Sequence, residues 1–265
     1  MNRLVGKLLR QRELIWQMTL RELRGRYVGS AMGLFWSVLH PLITLTVWTF
    51  VFSYILDIRF SAEGGITSFA LYLFCGMVPF LAFQETVQNC TTSITAHAPL
   101  IKNLVFSSKS LQLSIALAAL VTHFVGLGIL VVALAALWQK FPVYLPLVLP
   151  LAFLLMLFSL GLGFITCTLH VFFRDTAQLV SVLLMIWLYA TPIFYPAHTL
   201  SAHHLQFLIY VNPLAYVANV YRSLILVGDV PSVHGFLIFL MISMGTFGLG
   251  YRIYTINYPK FIDEL

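Results

Sequence analysis

The stretch LQLSIALAALVTHFVGLGILVVALAALW, residues 111–138, decides the fold class because it contains no charged side chain. A helix needs about 20 mostly apolar residues to cross the hydrocarbon core of a bilayer, which is roughly 30 Å thick. This stretch exceeds that length and therefore predicts a transmembrane helix. Similar stretches on either side of it predict an all-α integral membrane protein.

The composition favours the same class. Hydrophobic residues make up 60% of the 265-residue chain, charged residues only 9%, and the mean hydropathy is +0.92. A soluble domain carries about 25% charged residues, so this chain has too little charge to cover the surface of a globule. Cys75, Cys90 and Cys167 lie in or beside apolar runs without a CxxC pair. We therefore expect buried thiols, with no disulfide and no metal site.

The hydropathy pattern predicts six transmembrane helices. They run approximately over residues 33–56, 66–86, 111–138, 144–170, 179–195 and 233–252. An even number of crossings places both chain ends on the same side of the membrane. The predicted organisation is an N-terminal segment (1–32), a six-span transmembrane domain (33–252) and a C-terminal tail (253–265).

The distribution of basic residues indicates which side holds the chain ends. With both ends inside, twelve of the fifteen basic residues lie in cytoplasmic segments, and three, Arg59, Lys140 and Arg222, lie in outer ones. Cytoplasmic loops of membrane proteins are enriched in Lys and Arg, so we expect both ends in the cytoplasm. The net charge of +6 therefore points to an anionic membrane surface and not to nucleic acid.

The basic N-terminal segment is predicted to form an amphipathic helix at the membrane surface. On a helical wheel Arg3, Lys7, Arg10 and Arg21 share one face, and apolar side chains lie largely opposite. That pattern is typical of a helix lying in the membrane plane. Arg12 interrupts the apolar face, and a plain topology anchor is the alternative.

The segment between the fifth and sixth spans, about 196–230, is predicted to form two short helices. Thr191–Pro192 and Tyr195–Pro196 interrupt the fifth span near its outer end. Asn212–Pro213 predicts a turn between two semi-apolar stretches, each too short to span. The helices either dip into the outer leaflet and form a gate, or lie flat on the outer surface.

The sequence contains no motif for nucleotide binding or catalysis. It has no GxxxxGK(S/T) loop, no HExxH and no GxSxG, so we expect that this chain binds no ATP and no other cofactor, and is not an enzyme. Glu85 lies close to a span end among polar residues, which favours a polar helix end over proton coupling. His123, in the middle of the third span, is predicted to be a hydrogen-bonded packing residue.

Aromatic residues make up 15% of the chain and crowd the first and fifth spans. Aromatic rings present a large apolar face, and Tyr and Trp tips can form hydrogen bonds, which suits a path for sugars. Interfacial belts and lipid-facing bulk are the alternative interpretation. The candidate path residues are Trp36, Trp48, Phe50, Phe52, Tyr54, Trp187, Tyr189, Phe194 and Tyr195.

Several short motifs, in order along the chain, resemble those of one family. They are RELRGRY at 21–27 followed by Gly29, Ser30, Gly33, Leu34, Trp36 and Pro41, GMVP at 76–79, KNLVF at 102–106, FFRD at 172–175, TPIFYP at 191–196, Asn212–Pro213 and Tyr221–Arg222. Together they resemble the permease subunit of type-2 ABC exporters of polysaccharides and polyol phosphates. That group exports O-antigen, capsule and teichoic acid.

The resemblance implies a homodimer that forms one path, with two separate ATPase subunits that use ATP and Mg²⁺. The N-terminal segment would be an interface helix. The loop at about 89–110 would contain a coupling helix that contacts the ATPase, and a second contact would lie at about 171–177. The implied coupling residues are Lys102, Asn103, Phe106, Phe173, Arg174 and Asp175.

The resemblance also implies a gate and a path. The first and fifth spans would line the path, which favours the sugar-stacking interpretation of their aromatic residues. The helices after Tyr195 would be the outer gate. The implied gate residues are Pro192, Pro196, Asn212, Pro213, Tyr221 and Arg222.

The implied substrate is a glycan on undecaprenyl diphosphate, O-antigen first, with capsule or teichoic acid as alternatives. Such a glycan cannot cross hydrocarbon unaided, because each desolvated hydroxyl without a partner costs about 2–7 kcal/mol. Arg21, Arg24 and Arg26 form a cytoplasmic rim suited to binding the lipid pyrophosphate. We call these three residues the lipid-phosphate rim, and we expect the protein in the bacterial inner membrane.

Three other functions compete with polysaccharide export. A type-2 ABC exporter of drugs or small lipids shares the fold but needs no aromatic path. A secondary transporter predicts intramembrane charges and an internal repeat, neither of which is evident. A membrane enzyme needs a cluster of His, Asp or Glu at one face, and the histidines His198, His203 and His204 have no acidic neighbours.

Overall fold

The computed structural model describes residues 2–25, 32–55, 66–103, 108–139, 141–195 and 207–264. Within these ranges the chain is helical and has no strand. The α-helices are α1 Asn2–Gly25, α2 Trp36–Thr49, α3 Ile66–Ala96, α4 Ala98–Asn103, α5 Ser108–Trp138, α6 Val148–Phe172, α7 Thr176–Ala190, α8 Phe207–Val211, α9 Pro213–Arg222, α10 Val233–Asn257 and α11 Phe261–Glu264.

Four of these helices, α3, α5, α6 and α10, are long and apolar enough to cross a membrane. They match the predicted second, third, fourth and sixth spans. The predicted first and fifth spans correspond to α2 and α7, which are apolar but shorter. Phe50–Ile55 extend α2 as π-helical turns. The prediction of an all-helical membrane protein is thus confirmed for the described residues.

Several helix boundaries differ from the predicted ones. α3 continues past residue 86 to Ala96, and the Thr91 hydroxyl in this extension is satisfied within the helix by donating to the Val87 carbonyl at 2.7 Å. Part of the predicted 89–110 loop is therefore helix. α7 begins three residues earlier than predicted and ends at Ala190, where Thr191 is extended (φ −91°, ψ 131°). The following Pro192 disfavours helical geometry at Thr191.

α3 is the central helix of the bundle. It packs against α5, α6, α7, α9 and α2, and 67% of its most apolar window is buried inside the protein, against 17% for α10. Polar side chains link it to its neighbours: the hydroxyl oxygens of Thr91 and of Thr166 in α6 lie 2.8 Å apart, within hydrogen-bond distance, and Gln88 donates to Ser181 of α7 at 3.3 Å. The lipid-facing surface therefore belongs mainly to the outer helices.

α6 and α10 pack backbone to backbone at two glycines. A Cβ placed on Gly250 would overlap the main chain of Gly161, and a Cβ on Gly161 would lie 2.6 Å from the main-chain nitrogen of Phe247. Small residues allow such close approach in lipid, where dispersion contacts must replace the hydrophobic effect.

Both ends of the described chain lie at one end of the bundle. α1 packs on α5, and its last turn lines a cleft with the end of α3, from Asn89 to Ala96, and with His97. The hydroxyl of Tyr254 in α10 donates to Ser108 at the start of α5. We call this the α4 end, and the opposite end, where α7 stops, the α9 end.

The C-terminal segment is folded and not a loose tail. α10 continues five residues beyond the predicted boundary at Arg252, and a 3₁₀ turn leads into α11. The side chain of Phe261 in α11 is fully buried. Aromatic residues near the chain end supply the apolar surface that binds this segment to the bundle.

The α6–α10 contact generates a test of packing. We expect Gly250→Ala to destabilise the protein by about 1–3 kcal/mol, because the added methyl group forces the two backbones apart. The measurement is thermal unfolding in detergent.

Gly245→Ala and Gly248→Ala on the same helix are matched controls, since no atom lies within 4 Å of a Cβ at either position. Both should leave the melting temperature unchanged or slightly raised, because Ala favours helix over Gly. Equal melting temperatures for all three variants would contradict close packing at Gly250.

Candidate functional site

A buried arginine organises the α9 end of the bundle. The Arg222 side chain is 5% exposed, and its guanidinium donates to the carbonyls of Tyr72 (3.3 Å), Pro192 (2.8 Å) and Ile193 (3.2 Å). It also lies over the ring of Tyr72, 3.6 Å from the ring centre. Each described hydrogen bond thus ends on a main-chain oxygen, and the cation joins α9 to α3 and to the chain after α7.

Gly76 makes room for this cation. A Cβ at Gly76 would lie 2.7 Å from Nη2 of Arg222 and 3.6 Å from Ile193. Any larger residue would therefore displace the guanidinium from its carbonyl partners. The motif at 76–79 and the Tyr221–Arg222 motif are parts of the same site.

Asn212 forms the second polar junction of the α9 end. Its side-chain oxygen accepts from the Leu214 amide at 3.0 Å, which caps α9, and from the Trp187 indole at 2.8 Å. Its amide group donates to Thr191 Oγ1 at 2.9 Å. An Asn cap contributes about 1 kcal/mol. The Asn212–Pro213 turn is therefore bound directly to the end of α7.

His123 provides the third junction. Its ring is 3% exposed, and its Nε2 lies 2.9 Å from the Tyr221 hydroxyl, while Nδ1 lies 3.4 Å from the Val78 carbonyl. These contacts join α5, α9 and α3. The predicted role of His123 as a hydrogen-bonded packing residue is confirmed.

The structure thus brings together five of the six candidate gate residues. These are Pro192, Asn212, Pro213, Tyr221 and Arg222, whereas Pro196 lies outside the described residues. After α9 the chain makes π turns and ends the helical stretch at Gly228 (φ +84°), a left-handed conformation that glycine adopts without steric penalty. The sequence analysis missed Tyr72 as a partner of Arg222, since nothing local marks it.

One aromatic cluster forms around Phe194. Its ring centre lies 4.3 Å from that of Trp48, 4.8 Å from that of Phe52 and 5.5 Å from that of Tyr189. The Tyr195 hydroxyl donates to the Tyr189 carbonyl at 2.6 Å. Phe194 is buried, and Tyr189 is 56% exposed, so the cluster presents part of its surface outward. Five candidate path residues from the first and fifth spans therefore meet.

The other four candidate path residues lie apart from this cluster. Trp187 packs inside the bundle against Phe83 and gives its indole N–H to Asn212. Phe50 and Tyr54 stack on each other at 5.4 Å on an exposed face. Trp36 is half-buried at the start of α2. Trp187 therefore has surroundings that differ from those of Trp48.

The candidate coupling residues lie at the α4 end. Phe173, Arg174 and Asp175 form the exposed turn between α6 and α7, and the Phe173 ring is 68% exposed. Thr176 holds this turn by donating to the Phe173 carbonyl through both its amide and its hydroxyl. Lys102 and Asn103 end α4, and Phe106 lies outside the described residues.

A polar cleft of about 370 Å³ opens beside α1 at the same end. Arg21 of the lipid-phosphate rim lines it, together with Glu22, Asn89, Thr92 and His97. Arg24 is exposed nearby on α1, and Arg26 lies outside the described residues. Within the described ranges, no group of three His, Cys, Asp or Glu side chains is placed to bind a metal ion.

The Arg222 site generates a stability prediction. We expect Arg222→Met to destabilise the protein by about 2–4 kcal/mol, because three carbonyls lose charge-assisted donors in a buried environment. The stability of Arg222→Lys should lie between those of the wild type and Arg222→Met, since an ammonium group cannot match the planar arrangement of guanidinium N–H donors. The melting temperature in detergent reports both changes.

Gly76→Ala should destabilise the protein in the same way, and the Gly76→Ala/Arg222→Met double variant should be no worse than Arg222→Met alone, because both changes remove one interaction. Arg252→Met, at an exposed position, is the control. Additive losses in the double variant would show that Gly76 and Arg222 act independently.

Comparison with known proteins identifies relatives over most of the chain. The family of ABC-2 type transporters matches residues 13–226. An O-antigen export system permease protein, RfbA, of Myxococcus xanthus is 28% identical over 226 residues, which cover 84% of each chain. RfbA of Klebsiella pneumoniae is 28% identical over 222 residues, covering 82% of this chain and 81% of that one.

Another relative is similar over an even longer range. The polysialic acid transport protein KpsM of Escherichia coli is 25% identical over 248 residues, covering 92% of this chain and 93% of that one. The family match includes α2–α9 and every junction of the α9 end. The chain therefore belongs to the ABC-2 type transporter family of membrane permeases.

Proposed function

We propose that this chain is the permease subunit of an ATP-driven exporter that moves a lipid-linked polysaccharide, in the first instance an O-antigen, out of the cytoplasm. The similarity to O-antigen export permeases over more than four fifths of both chains is the observation that supports it most. The similarity to a polysialic acid transport protein makes a capsule polysaccharide the first alternative, and teichoic acid the second.

The proposed topology has six spans with both chain ends in the cytoplasm. α2 and its π-helical extension cover residues 36–55, a length of roughly 30 Å at 1.5 Å per residue. α7 connects the α4 end to the Asn212 junction at the α9 end. The basic residues around the α4 end support its assignment to the cytoplasm of a bacterial inner membrane.

Two copies of the chain would enclose the path between them. The first and fifth spans present aromatic side chains outward at Tyr54 and Tyr189, and Tyr189 belongs to the same ring cluster as the half-buried Trp48. Rings at such a surface can stack on sugars, and their polar tips can replace water at the hydroxyl groups. The α9 end would then be the outer gate, with Arg222 and Asn212 fixing its geometry.

The glycan carrier would be undecaprenyl diphosphate, bound at the lipid-phosphate rim. Arg21 and Arg24 are exposed beside the polar cleft, and guanidinium groups form strong bidentate bonds with phosphate oxygens. Two ABC ATPase subunits, which use ATP and Mg²⁺, would dock at the α4 end. The exposed Phe173 ring flanked by Arg174 and Asp175 has the composition of an interface anchor with a polar border.

Deletion of the gene in its native host tests the proposal. We expect the long polysaccharide ladder to disappear from the cell surface and lipid-linked glycan to accumulate inside, measured by gel electrophoresis and immunoblotting of intact and lysed cells. Co-purification should recover a nucleotide-hydrolysing partner. Complementation with the wild-type gene is the control.

The competing functions predict different results. An unchanged surface polysaccharide with a new sensitivity to drugs would favour an exporter of drugs or small lipids. Flux that stops with a proton uncoupler, in a protein that co-purifies with no ATPase, would favour a secondary transporter. Either result would overturn the proposal.

The aromatic path generates a second prediction. We expect Trp48→Ala and Tyr189→Ala to lower surface polysaccharide by up to about tenfold, since the loss of a ring contact costs up to about 1.4 kcal/mol. The amount of permease and of bound ATPase should not change. Surface immunoblotting normalised to the amount of complex is the measurement.

Trp187→Ala is the contrasting variant, because its indole is bonded inside the bundle to Asn212. It should lower the melting temperature and the amount of complex, while export per complex stays near that of the wild type. Phe141→Ala, which changes an exposed ring outside the first and fifth spans, is the neutral control. Full export by both path variants would argue against sugar stacking.

A further inference from the structure

The C-terminal segment forms an aromatic cluster at the α4 end. The ring of Phe261 lies 5.4 Å from that of Tyr254, 5.8 Å from that of Tyr258 and 6.2 Å from that of Phe172. Tyr254 in turn lies 4.9 Å from Phe164 of α6. Phe261 and Tyr254 are fully buried. The end of the chain is therefore seated in the bundle by several ring contacts.

This cluster also reaches the predicted coupling loop, on both sides of its undescribed part. Ile101 of α4 is 4% exposed and belongs to the same buried cluster as Tyr254 and Phe261. Beyond residues 104–107, Ser108 accepts a hydrogen bond from the Tyr254 hydroxyl. The end of α10 therefore lies in the same buried cluster as Ile101, on one side of the loop, and is hydrogen-bonded to Ser108, on the other side.

The second predicted ATPase contact is bound to the same cluster. Val171 is buried in it, and Phe172 packs on its edge. The next residues in the chain are the exposed turn Phe173–Arg174–Asp175. Because protein interiors are densely packed, a displacement of one buried residue of the cluster also displaces its neighbours. The α4 segment and the Phe173 turn are therefore joined through Tyr254 and Phe261, which belong to neither segment.

We propose that Phe261 and Tyr254 are positioning residues that hold the α4 segment and the Phe173 turn as one unit and link that unit to α10. This inference rests on the proposed function, since it takes both segments as docking sites for the ATPase. A movement imposed on α4 then reaches the Phe173 turn and the last span together. Without the cluster, each segment responds alone and ATP hydrolysis no longer drives export.

Charged side chains of the C-terminal segment border the same surface. Lys260, Asp263 and Glu264 are exposed, as are Phe173 and Arg174. An apolar ring surrounded by charges of both signs suits a protein surface, with the ring buried at the centre of the contact and the charges at its border. The C-terminal segment is thus placed to border the docked ATPase as well as to hold its contacts in place.

The test compares Phe261→Ala with wild-type protein in the permease–ATPase complex. Three quantities are measured: the ATPase that co-purifies, the ATP hydrolysis of the purified complex in nanodiscs, and the surface polysaccharide of cells. We expect co-purification and hydrolysis to stay close to wild type, while surface polysaccharide falls about fivefold or more, as a lost coupling of ordinary size predicts. Phe261→Leu, which refills most of the buried space, should restore most of the export.

Tyr254→Phe is the second variant, because it keeps the ring and removes only the hydroxyl bonded to Ser108. It should accumulate normally, so it remains informative if Phe261→Ala does not fold. We expect export per ATP hydrolysed to fall in this variant too, but by less than in Phe261→Ala. Ile256→Ala, at a residue of α10 that is 62% exposed, is the matched control and should behave as wild type.

The inference would be overturned if Tyr254→Phe exported as much polysaccharide per ATP as the wild type and Phe261→Ala gave one of two results. The first is wild-type export per ATP, and the second is a loss of export that is proportional to the loss of complex. A proportional loss indicates that the ring only stabilises the fold. If the wild-type protein itself binds no ATPase or exports no polysaccharide, the proposed function fails, and this inference fails with it. The wild-type measurements therefore separate the two failures.

Discussion

Carbonyl groups beyond the end of a helix are costly when apolar surroundings leave them without a donor, and the structure meets this constraint after α7 with a buried cation. The Pro192 and Ile193 carbonyls, which follow the end of α7, accept hydrogen bonds from Arg222. The same guanidinium reaches α3 through the Tyr72 carbonyl. The same side chain therefore joins the break after α7, the central helix and α9. Its removal would leave three acceptors without their donor.

The two ends of the bundle solve different physical problems. At the α9 end, polar junctions through Arg222, Asn212 and His123 stabilise irregular backbone. At the α4 end, ring packing around Tyr254 and Phe261 organises the surface that we assign to the ATPase. Hydrogen bonds fix direction at the first end, and dense apolar packing joins neighbouring segments at the second. α3 packs against helices at both ends.

The aromatic residues illustrate how surroundings decide a role. Trp187 and Tyr189 are two positions apart on α7, yet one gives its polar tip to Asn212 inside the bundle and the other is exposed. A helix turns by about 100° per residue, so residues two apart face different neighbours. Only the outward-facing residues and those beside them suit a path between two copies. The number of aromatic residues in a span therefore overestimates how many of them could line such a path.

The sequence by itself determined the membrane class, the four long helices and the interruption before Pro192. Length, hydropathy and backbone restrictions are local properties, so they can be read without neighbours. Only the tertiary structure decided that Gly76 faces Arg222, that Tyr72 lies 150 positions away from its partner, and that the chain end is buried. These depend on which helices become adjacent, and packing between distant segments settles that.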